Sequence, residues 1–93
     1  MTAELIVEIN RLHAAVDDFA SAMKTRLTQK AEAGFTGWDG AYPEGFLWDE
    51  IAEAGAYART SSDFPKLAVD VANRAMMLWW RRTGHKPNTG GEH

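Results

Sequence analysis

Between Leu5 and Leu27 the apolar residues Leu5, Ile9, Leu12, Val16, Phe19, Met23 and Leu27 recur at steps of 4, 3, 4, 3, 4 and 4, and neither proline nor glycine interrupts the chain before Gly34. Such a series lines up only on an α-helix, so the spacing predicts a long first helix, with Thr2 placed to cap its start. A helix with so long a stripe needs partners along its whole length. A core-facing stripe in a helical bundle accounts for it better than an isolated coiled coil.

The helix is broken by Gly34-Phe-Thr-Gly-Trp-Asp-Gly-Ala-Tyr-Pro-Glu-Gly45, which holds four glycines and a proline. Glycine and proline at that density enforce turns. The embedded aromatics Phe35, Trp38 and Tyr42 predict an ordered loop folded back on the bundle, beside any pocket. A second helix is expected from Phe46 to about Arg59, with Leu47, Ile51, Ala54 and Ala58 on one stripe, and Gly55 and the alanines permitting close approach by a neighbour. Thr60-Ser61-Ser62-Asp63 reads as a turn, with Ser62 or Asp63 as N-cap and Pro65 in the first turn of the next helix.

That third helix is expected from about Phe64 to Arg82. Leu67, Val71, Ala75, Leu78 and Trp79 form its stripe, and Met76, Met77 and Trp80 widen it, as suits a central element. Arg81 and Arg82 suit its C-terminal dipole. The expectation is one all-α domain over 1–83, with 84–93 a polar, glycine-rich, disordered tail. Three helices cannot bury this much apolar surface alone, so a homodimer or higher oligomer should complete a four-helix-type bundle.

With 93 residues there is room for one domain. The net charge of −3 argues against a general nucleic-acid binder, and the absence of cysteine removes disulfides, thiolate metal sites and a cysteine nucleophile. No run approaches a membrane span, and Met1-Thr2-Ala3-Glu4 lacks the basic start of a signal peptide, so a soluble cytoplasmic protein is expected. His13 has no second ligand at metal spacing, and no Ser-His-acid set or glycine-rich phosphate loop is present.

The chemistry-bearing feature is a pair of acidic segments, Asp49-Glu50-Ile51-Ala52-Glu53 and Asp70-Val71-Ala72-Asn73. Residues three apart share a helix face, so Glu50 with Glu53, and Asp70 with Asn73, could each point at one spot. If the two helices pair, three carboxylates and an amide oxygen meet in one cleft, a hard-oxygen set that suits Mg²⁺ and substrate phosphates. Taken singly, Glu50 and Glu53 read as solvated surface acids rather than ligands. Asp70 lies in an apolar run, where a carboxylate must reach a cation or face solvent.

The first segment resembles the Glu-Glu-x-x-Glu signature of the MazG-like, all-α nucleoside triphosphate pyrophosphohydrolases. Asp70-Val71-Ala72-Asn73, continuing Arg74-Ala75-Met76-Met77, resembles the end of that family's Glu-x-x-Asp signature, in the form found in small phage-type members that act on purine deoxynucleotides. Lys30 and Gly37-Trp38 resemble the segment that precedes the acid helix, so the similarity covers roughly 19–80. The resemblance implies a homodimeric helical bundle that cleaves a (d)NTP between the α- and β-phosphates, with Mg²⁺ or Mn²⁺, to a monophosphate and pyrophosphate. It implies that Glu50, Glu53 and Asp70 hold metal, that Asp49 joins Glu50 and Glu53 in catalysis, and that Lys24, Lys30, Trp38 and Asn73 bind nucleotide. Where the second signature begins with Glu this chain has Leu67, which leaves three carboxylates and an amide in place of four carboxylates. The alternative is therefore a catalytically inactive descendant of the same fold, a protein-interaction module or small phage-encoded inhibitor that binds through Trp48, Trp79 and Trp80.

Overall fold

The computed structural model describes residues 1–38 and 43–84. Those residues form three helices and no strand: α1 Ala3–Glu32, α2 Glu44–Ala58 and α3 Phe64–Arg82. Tyr42 of the aromatic loop and the tail from His85 onward lie outside the described residues. No described helix is long and apolar enough to cross a membrane.

Each helix end has a local cause. The Leu5 amide donates to Thr2 Oγ1 at 3.1 Å, so Thr2 caps α1 as expected. The helix ends at Gly34, whose φ of +98° favours a residue without a Cβ and whose amide donates to the Ala31 carbonyl at 3.0 Å. α2 starts at Glu44, earlier than the pattern from Phe46 suggested, because Pro43 fixes the entry and Glu44 suits the positive end of the helix. α3 has the expected bounds, with Pro65 in its first turn, but Asp63 makes no side-chain cap. Its own amide instead donates to Ser61 Oγ at 3.0 Å.

α3 is the central element. It packs against α2 and against α1, whereas α1 and α2 do not touch each other. Its buried residues are Val69, Asp70, Asn73 and Leu78. Val69 and Leu78 stand about 180° apart around the helix, as expected of a helix covered on opposite sides. This corrects the expected stripe: Ala75 and Trp79 are exposed, and two polar residues lie in the inward face. α2 follows its expected stripe, with Leu47 and Ala54 buried and Ile51 and Ala58 half-buried. A Cβ added at Gly55 would meet nothing, so no neighbour exploits that glycine.

α1 contains no buried residue at all. Met23 and Leu27, on its C-terminal half, are half-buried, but Leu5, Leu12, Val16 and Phe19 remain exposed. Partnering along the whole stripe is therefore not met within one chain. At the other end of the molecule, Arg82 of α3 donates to Glu44 Oε1 of α2 through Nε at 3.0 Å and also through Nη2. Trp48 Nε1 donates to the same oxygen at 3.3 Å, and the Arg82 guanidinium lies 5.8 Å from the centre of the Trp48 ring. Together, the hydrogen bond from Arg82 first and that from Trp48 second, these partners hold the Glu44 carboxyl below its ordinary pKa.

Candidate functional site: a polar cavity around α3

A cavity of about 990 Å³ opens where the C-terminal half of α1, the loop after it, α2 and α3 converge. Its wall combines charge with aromatic surface. α1 supplies Lys30, α2 supplies Glu50, and α3 supplies Asp70, Asn73 and Arg74. Trp38 and Trp80 meet edge to face with ring centres 5.1 Å apart. The described start of the loop thus folds back onto the bundle, with Phe35 and Trp38 in the cavity wall.

The two cavity acids are each held by an arginine. Arg26 Nε donates to Asp70 Oδ1 at 3.0 Å, which ties α1 to α3. Arg74 Nη2 lies 3.3 Å from Glu50 Oε2, which ties α3 to α2. Asp70 is only 8% exposed, and an ion pair is how so buried a carboxylate is retained. Asn73 Nδ2 donates to the Met23 carbonyl at 3.3 Å, which fixes the amide's orientation. Its Oδ1 is buried without a hydrogen-bond partner, an acceptor oxygen left over in the cavity wall.

Lys30 stands over the Phe35 ring, its ammonium 5.0 Å from the ring centre. Its pKa is pushed down, first by burial and then by the positive charge of Arg26; Asp70 opposes this, while Arg74 and Lys66 add to it. Lys30 and Arg74 thus bring two positive charges into the cavity wall beside the carboxylates of Glu50 and Asp70.

Of the residues singled out in the sequence, Lys30, Trp38, Glu50, Asp70 and Asn73 share this cavity. Lys24, Asp49 and Glu53 are exposed and do not line it. The separation of Glu50 from Glu53 follows from helix geometry. With the inward direction of α2 set by Leu47, Ala54 and Ala58, Glu50 is turned about 60° from it and Glu53 about 120°. Leu67 is half-buried outside the cavity wall. The sequence reading gave no role to Arg26 and Arg74, although Arg74 directly follows Asn73 and Arg26 lies one turn before Lys30.

The donor set can be tested against the expected cation. Glu50, Asp70 and Asn73 offer hard oxygens, but among the described residues no three carboxylate or histidine side chains gather as a metal group. Both cavity acids already bond to arginine. In this arrangement the residues fit an anionic ligand better than a ready-made cation cage.

No family model, curated protein or solved structure matches the chain.

Proposed function

We propose that this protein binds a nucleoside or deoxynucleoside triphosphate in the cavity. The observation that carries the reading is the placing of Lys30 and Arg74 in one cavity wall with the aromatic rings of Phe35, Trp38 and Trp80. Burial and then the charge of Arg26 disfavour the Lys30 ammonium in the empty protein, and a bound anion relieves that cost. Phosphates suit Lys30 and Arg74, and the base suits the apolar and aromatic surface of Trp38 and Trp80, where offset or edge contacts are favourable. The cavity volume falls in the range of small-molecule sites.

A second reading, Mg²⁺- or Mn²⁺-dependent cleavage between the α- and β-phosphates of the MazG-like kind, is favoured by Glu50 and Asp70 sharing one cavity with the unpartnered Asn73 Oδ1. A cation held there would neutralise phosphate charge. Glu50 and Asp70 are the residues that would hold it.

One pair of assays separates the two. Calorimetric titration with NTPs and dNTPs in EDTA should give saturable binding. Pyrophosphate release is then followed with Mg²⁺ or Mn²⁺, beside a Glu50→Gln control. Turnover abolished in the control establishes the cleaving enzyme. Binding without turnover establishes a nucleotide-binding protein, and no binding under either condition overturns the proposal.

A further inference from the structure

We propose, building on nucleotide binding in this cavity, that the ligand is taken as the free polyphosphate anion rather than as its complex with a divalent cation. The chain's own arginines already hold the carboxylates that such a cation would need. Asp70 is paired with Arg26 at 3.0 Å and Glu50 with Arg74 at 3.3 Å, so each cavity acid has its counter-charge before any ligand arrives. The two arginine side chains are only 22% and 19% exposed. A divalent cation can take either carboxylate only by displacing its arginine. That leaves a largely buried positive charge without a partner, which is the costly way to break such a pair. Mg²⁺ also gives up its bound water reluctantly, which raises the cost further. Each pair joins two helices, α1 to α3 and α3 to α2, so displacement would loosen the cavity walls as well.

What the wall leaves for a ligand is cationic. Among the described residues Lys30 lies within ion-pair distance of no carboxylate, and its ammonium rests on the Phe35 ring instead. Arg74 meets Glu50 through Nη2 alone, and the rest of its planar fork of N–H donors is left for phosphate oxygens. These two side chains can neutralise phosphate charge directly, through charge-assisted hydrogen bonds. Mg²⁺ on the same phosphates duplicates that task. It occupies oxygens that Lys30 and Arg74 would take, and it lowers the negative charge that draws the ligand in. Cation and cavity therefore compete for one ligand.

Titration calorimetry of NTPs and dNTPs, in EDTA and again in excess MgCl₂ at matched ionic strength, gives the sign. Affinity should be about 10-fold weaker with Mg²⁺, the worth of one charge-assisted contact. MgCl₂ alone should leave the melting temperature of the nucleotide-free protein where matched NaCl leaves it. Both readouts use the unaltered protein and stand whether or not a variant folds. Arg74→Met should weaken binding of the free nucleotide and abolish the Mg²⁺ penalty, because the contact competed for and the tie on Glu50 are both gone. Equal or tighter binding in Mg²⁺, a melting temperature raised by MgCl₂ alone, or a penalty undiminished in Arg74→Met overturns the proposal. Binding that appears only with Mg²⁺ removes it and leaves the nucleotide site standing, whereas no binding in either condition removes both.

Discussion

Replacing Arg26 with methionine should lower the free energy of unfolding by about 3 kcal/mol, because it leaves a buried carboxylate without its counter-charge. The carboxylate is that of Asp70, whose side chain is 10% exposed and bonds to Arg26 at 3.0 Å. Methionine keeps most of the arginine stem's packing, so the loss isolates the charge. Domains of this size have only about 5–15 kcal/mol in total, so the change should be plain in the urea midpoint. Adding Asp70→Asn to Arg26→Met removes the stranded charge and should recover a large part of the loss. Equal losses in the single and double variants would show that the Asp70 carboxylate is not left stranded when Arg26 is removed.

Lys30→Met should move affinity and stability in opposite directions. A charge-assisted hydrogen bond to phosphate is worth about 1.5–3 kcal/mol, so triphosphate affinity should fall by roughly 10- to 100-fold. The empty protein should melt slightly higher, because burial and the charges of Arg26, Arg74 and Lys66 disfavour the ammonium in the folded state. The sign of the pH effect follows from that lowered pKa. Below the folded pKa, Lys30 is charged in both states and its cost is present in full. Between the folded pKa and the ordinary value of 10.5, the folded state loses its proton more readily, and the cost fades as pH rises. The stability difference between Lys30→Met and the unaltered protein should therefore narrow across that alkaline window. Titration calorimetry and thermal melts on the same variant check both halves. A fall in affinity without the stability gain would mean that Lys30 is not strained in the empty cavity.

The backbone was far more legible in the sequence than the site. α1 and α3 could be bounded from periodicity, the cap at Thr2, the stop at Gly34 and the proline at Pro65, because each of these acts through the chain nearest to it. Asp70 and Asn73 could be placed together in a cleft from their spacing, but what holds them there was not legible. Arg26 and the Met23 carbonyl, both on α1, receive them. A one-dimensional pattern has no means of supplying a partner 44 or 50 positions away. Glu53 failed for a different reason: three-residue spacing keeps two acids near one another without saying which of them a neighbour's wall will reach. The arginines were missed because the acids were read as waiting for a metal, when the fold supplies cations of its own.

Because α1 and α2 each rest on α3 and not on one another, the two sides of the cavity resemble jaws joined along a single edge. Arg26 with Asp70 fastens one jaw, and Arg74 with Glu50 fastens the other. A ligand that reaches from Lys30 across to the α2 wall supplies a cross-brace that α1 and α2 do not make with each other. Occupancy would then tighten the whole fold as well as fill a hole in it.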